Sequence, residues 1–90
     1  MVGQAVSDKI QRIREKFPDK NQYIDLLIAE DPEFLTLCED YDISVDALRH
    51  WTQSKDSNAK TRVNEYLTLV RELQDEIAQA LAALESRRLD

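Results

Sequence analysis

Asp46 stands four residues before His50, the only histidine of this 90-residue chain. On a helix that spacing sets a carboxylate one turn from an imidazole. Such a pair can ligate a metal ion or pass a proton, and Glu39 and Asp42 share roughly the same face. Cys38 is the single thiol. A thiolate nucleophile needs a nearby base or a positive field, whereas Cys38 is followed by Glu39 and Asp40. A reactive site also needs groups that converge from more than one element and exclude water. Here the acids and His50 lie on one helical face turned away from the apolar seam. The expectation is a solvated acidic face with an ordinary Asp46–His50 pair, and a Cys38 that acts as a small hydrophobe. Gly3 is the only glycine, which removes every loop that cradles phosphate. No catalytic, cofactor-binding or metal-binding residue is assigned, no cofactor is expected, and the chain reads as a non-enzyme.

The elements that would carry these residues follow from two apolar ladders. The first is Phe34, Leu37, Tyr41, Ser44, Leu48 and Trp51; the second is Val63, Tyr66, Val70, Leu73, Ile77, Ala80 and Leu84. Both alternate steps of three and four, so each keeps one side chain per turn on one face and needs a partner helix. The break Gln53–Asn58 is short enough to make the two helices antiparallel neighbours. Upstream, Ser7 is an expected cap, Ile10, Ile13 and Phe17 form a narrow stripe, and Pro18 stops the helix. Asn21 is an expected cap for a second short helix carrying Tyr23, Ile24, Leu27 and Ile28. Asp31-Pro32-Glu33 combines a cap, a first-turn proline and a first-turn acid, and Asp56 or Ser57 caps the last helix. The predicted fold is all-α. One domain, residues 1–90, holds a long antiparallel helical hairpin (32–52 and 58–85) with two short N-terminal helices (8–17 and 22–30) packed on it as a small helical bundle. The hairpin core is Phe34, Leu37, Tyr41, Leu48, Trp51, Val63, Tyr66, Val70, Leu73, Ile77 and Leu84.

Charge and hydropathy then narrow the role. The net charge is −6, and it is uneven. Residues 1–20 hold five Lys or Arg against three acids, residues 21–54 one base against eight acids, and residues 55–90 six bases against seven acids. An acidic middle repels nucleic acid and anionic lipid and attracts basic surfaces. Lys9, Arg12, Arg14 and Lys16 are expected to form a solvated face or to dock on the acidic third helix. The lone cysteine excludes an internal disulfide and suits a reducing compartment. No apolar run approaches the ~18–20 residues that span a bilayer. No secretory signal opens the chain, so the cytoplasm is the expected location.

The apolar arc of the last helix covers about half its circumference, more than one neighbour can bury. A second flank therefore needs the N-terminal helices, a second copy or another protein. Leu67, Leu69, Gln74, Ile77 and Leu81 are candidate contacts there, and Ile43, Ala47 and His50 form a minor outer stripe. Glu39, Asp40, Asp42 and Asp46 are a candidate acidic partner surface.

The segment Leu27-Ile28-Ala29-Glu30-Asp31-Pro32-Glu33-Phe34, with Leu37 and Tyr41 after it, resembles the start of the YdcH-like family of small bacterial proteins. The tail Leu73-Gln74-Asp75-Glu76-Ile77-Ala78-Gln79-Ala80-Leu81 is similar to that family's closing stretch. The resemblance covers roughly residues 24–81. It departs in overall acidity, in Glu33 where a His often precedes the Phe, and in the extra helix of residues 1–20. It implies a helical hairpin of unassigned biochemical function and no catalytic residues. The function expected from all of this is a non-enzymatic protein–protein interaction module, a small adaptor or regulator. It works as a homodimer or with another protein, touches neither nucleic acid nor membrane directly, and presents an acidic helical face. The alternative is an acidic regulator that blocks a basic site on a nucleic-acid-binding protein.

Overall fold

A computed structural model describes the backbone of residues 2–89 and the side chains of residues 9–88. Four α-helices pack together: α1 (Val2–Lys16), α2 (Asn21–Glu30), α3 (Pro32–Gln53) and α4 (Ala59–Leu89), with a 3₁₀ turn at Pro18–Lys20. The described residues contain no strand. α3 and α4 share the most extensive contact; α1 packs on α3, and α2 packs on both α3 and α4. The longest dimension is 51 Å. It is set by α4, whose 31 residues rise about 46 Å at ~1.5 Å each.

Local chemistry explains the breaks. Pro18 forces the residue before it out of the helical region, and Phe17 sits at φ −126°, ψ 64°. The chain then enters the 3₁₀ turn and α2 with little intervening loop. Asp31 alone separates α2 from α3. Its extended backbone (φ −130°, ψ 100°) ends one helix and starts the next. Its N–H donates to the Leu27 carbonyl, while its carboxylate accepts from Glu33 N at 3.0 Å. Pro32 fills the first helical position, where no N–H is needed. Before α4, the Asp56 carboxylate accepts from Asn58 N at 2.8 Å and its carbonyl accepts from Ala59 N.

Several boundaries differ from expectation. α1 begins at Val2, so the backbone at Ser7 lies inside the helix and does not start it. Asn21 is the first residue of α2, not its cap; its amide instead donates to the Pro18 carbonyl and accepts from Arg14. α4 runs on to Leu89, past the predicted stop at Glu85, because nothing between them breaks a helix.

One core joins all four helices. Ile10 and Ile13 of α1, Ile24 and Leu27 of α2, Phe34, Cys38 and Tyr41 of α3, and Val70, Leu73, Ile77, Leu81 and Leu84 of α4 form a continuous buried cluster. Full burial of an aliphatic or aromatic side chain stabilises by ~1.5–3 kcal/mol, so this cluster dominates the favourable terms. Leu37, Leu48, Trp51, Val63 and Tyr66, all expected in the hairpin core, are only half-buried, four of them toward the α3–α4 connection. Ser44 is the one buried polar residue among the described side chains.

Candidate interaction surface

The basic stripe of α1 meets the acidic face of α3. Arg12 donates to the Asp42 carboxylate at 2.7 Å, to the Asp42 backbone carbonyl at 2.8 Å and to the Asp46 carboxylate at 2.6 Å. Lys9 pairs with Glu39 at 2.8 Å. Residues 39, 42 and 46 recur at three and four, so they form one stripe that α1 can follow. The Arg12 side chain keeps 22% of its surface exposed, Asp42 24% and Asp46 63%. The bond Arg12 donates to Asp46, together with the Asp42 and Asp46 charges, raises the Arg12 pKa against the opposing cost of burial. The bond from Arg12 holds the Asp46 carboxyl below its ordinary value. Arg14 turns the other way and pairs with Asp25 of α2. Lys20 pairs with Glu85 near the far end of α4, its ammonium 5.9 Å from the Tyr23 ring centre.

Three of the four residues expected to form an acidic partner surface are thus engaged within the chain; of that set only Asp40 lies exposed with no ion pair among the described residues. The opposite charges of residues 1–20 and 21–54 were the signal for this, and spacing alone could not say which base meets which acid. The predicted Asp46–His50 pair does not form, because Arg12 takes the Asp46 carboxylate. His50 instead lies edge-on to Trp51, ring centres 5.2 Å apart. Among the described residues no three His, Cys, Asp or Glu side chains converge as metal ligands would. Cys38 is fully buried, and desolvation pushes its thiol up to about 12, with Glu39 adding to the shift. Burial likewise raises Tyr41.

The candidate apolar contacts separate. Leu81 is 1% exposed, and Ile77 is fully buried: both belong to the core, because the N-terminal helices and α3 already cover that side of α4. Leu67, Gln74 and Ala47 are half-buried, and His50 is exposed. Ile43 is 65% exposed and Leu69 38%. The described clefts are shallow and open. One of about 270 Å³ lies between α1 and α3, lined by Arg12, Glu15, Lys16, Tyr41, Val45 and Arg49. Another of about 250 Å³ has an apolar floor of Phe34, Leu37 and Ala80 and a rim of Asp31, Glu33 and Glu76. This second cleft was not anticipated, since it joins the start of α3 to the far half of α4.

No described helix is long and apolar enough to cross a membrane. The chain matches no protein-family model, no curated protein and no solved structure.

Proposed function

We propose that this chain is a non-enzymatic protein–protein interaction module of a reducing, cytoplasmic environment. In this reading the bundle is a long antiparallel hairpin, α3 and α4, braced by α1 and α2. The placement of Phe34 and Leu37 beside Glu76 and Ala80 supports the antiparallel sense, as does the short Ser54–Asn58 connection. A YdcH-like kinship over residues 24–81 belongs to the same proposal. The observation that carries the function is that two large apolar side chains, Ile43 of α3 and Leu69 of α4, stay exposed after the chain has folded. Large apolar groups kept in water are available for contact with another protein.

The test is affinity capture with the full chain as bait, run beside Ile43→Gln and Leu69→Gln baits. Ile43 is largely exposed and Leu69 more than one third exposed, so each change should cost no more than about 1 kcal/mol of folding stability. A protein or second copy held by the wild type and lost from either variant supports the module. Identical retention by all three baits would overturn it.

The acidic-regulator alternative has less support. Its phosphate-like charges, Glu39, Asp42 and Asp46, are held by Lys9 and Arg12, so a basic partner would first have to lift α1.

A further inference from the structure

On the flank of the bundle that α1 and α2 leave uncovered, one exposed base and one exposed acid stand at equal distances from an exposed leucine. On α4, Arg62, Leu69 and Glu76 recur every seven residues and are all exposed. On α3, Leu37, Ser44 and Trp51 recur at the same interval. A seven-residue repeat keeps side chains on one side of a helix that winds about its neighbour. Glu76 and Leu37 meet at the acidic-rimmed cleft, which fixes the two rows on one shared flank. At one end of the flank stand Asp31, Glu33 and Glu76 around the apolar floor of the cleft. At the other, some 21 Å away at ~1.5 Å per residue, stand Arg62 and the half-buried Trp51, while Lys55 and Asp56 of the connection, both exposed, cancel in charge. Leu69 lies midway between Arg62 and Glu76, and Ser44, itself buried, lies midway between Leu37 and Trp51.

We infer that a second copy of this chain binds this flank in antiparallel two-fold fashion, with Leu69 against Leu69 on the axis. Arg62 of each copy faces Glu76 of the other, and Trp51 of each covers the other's Phe34–Leu37–Ala80 cleft. The inference rests on the contact-module reading and names its partner. Opposite charges at equal distances from an apolar centre are the property that an isologous interface requires, since every contact must occur twice. A different protein would have no need of that symmetry. Arg62 already touches Glu65 at 3.1 Å, but both side chains are about half exposed, so the pair is weak and can be exchanged. A flank ~30 Å by ~20 Å would bury on the order of 1,000–1,200 Å² in total, the lower end of stable interfaces, consistent with a Kd on the order of micromolar.

Sedimentation equilibrium of the full chain tests this, from about 1 to about 300 μM to bracket that affinity. The wild type should pass from a 10.5 kDa monomer to a dimer. Arg62→Glu and Glu76→Arg should each weaken the dimer by roughly tenfold or more, since each puts like charges together at both contacts. An equimolar mixture of the two variants should recover the wild-type affinity to within about threefold, because every facing pair in the mixed dimer is again opposite in sign. Helical circular dichroism and melting of each variant control for folding, and both sites are solvent-exposed. A wild type that stays monomeric, a dimer unmoved by either substitution, or a mixture no tighter than its components overturns the inference. A dimer insensitive to these residues would move self-association to another face and leave the contact module standing. A monomer whose captured partner is still lost on Leu69→Gln would do the same through a different protein.

Discussion

Replacing Arg12 by Gln isolates the clamp that fastens α1 to α3. Two of its hydrogen bonds go to Asp42, with both side chains more than three-quarters shielded from water. Hydrogen bonds to charged groups contribute ~1.5–3 kcal/mol, and partial exposure brings the Asp42 side to about 1.5–2 kcal/mol. The bond to Asp46 is the shorter at 2.6 Å and does most to raise the Arg12 pKa. Water nonetheless reaches 63% of the Asp46 side chain, so it should contribute no more than ~0.3–1 kcal/mol. The expected loss is about 2 kcal/mol, or a fall in melting temperature of roughly 8–16 °C for a domain of this size. Urea and thermal melts of Arg12→Gln, Asp42→Asn, Asp46→Asn and the two doubles form two cycles. The Arg12–Asp42 coupling should be about 1–1.5 kcal/mol and the Arg12–Asp46 coupling below ~0.5 kcal/mol. The pH dependence follows the same pairing. A depressed folded-state pKa adds stability that is present above the unfolded carboxyl value of ~3.9 and lost as pH falls through the lower folded value. Asp46→Asn should therefore lose less stability than the wild type between about pH 5 and pH 2. Couplings of similar size, or both near zero, would refute the account: shielding would not rank the bonds, and apolar packing alone would hold α1.

Other perturbations give separable results. Ile77→Ala, at a fully buried position facing the shared core, should cost ~3–4 kcal/mol in urea unfolding, against about 1 kcal/mol for Leu69→Gln. Asp31→Ala removes the bond to Glu33 N and should cost about 1 kcal/mol, which Asp31→Ser should largely restore. Native Cys38 should react with a thiol reagent only as fast as the chain opens. Between its free value near 9 and about 12, rising pH should erode stability, because the unfolded thiol ionises first; Cys38→Ala should flatten that decline.

The helices were legible because their signals are local. Asp31-Pro32-Glu33 combines a cap, a fixed φ and a first-turn acid within three residues, and the structure breaks there. The heptad ladders likewise marked Phe34, Tyr41, Val70, Leu73, Ile77 and Leu84, all buried. The start of α1 escaped notice because Ser7 can cap a helix but is also tolerated inside one. The apolar arc groups Leu67, Leu69 and Leu81 as contacts on one flank of α4, and the structure separates them. A periodicity count gives the width of an apolar arc and not which neighbour takes each edge. Leu81 went into the core, while Leu69, grouped with it, stayed exposed. The ion pairs of Arg12 span thirty and thirty-four residues, and only charge balance, not spacing, hinted at them.

The order in which the chain is made gives the packing of α1 and α2 a further meaning. Their buried residues, Ile10, Ile13, Ile24 and Leu27, rest on a core completed by Ile77, Leu81 and Leu84. A ribosome adding ~5–20 residues per second reaches Leu84 roughly 4–15 s after Ile10. Through that interval only α3 can cover the apolar faces of the first two helices, and the share that α4 completes stays open. Their many charges keep this nascent segment dispersed: Lys9, Arg12, Arg14, Glu15, Lys16, Asp19 and Lys20 fall within twelve residues. The same groups that fasten the finished bundle would first act as its solubilising coat.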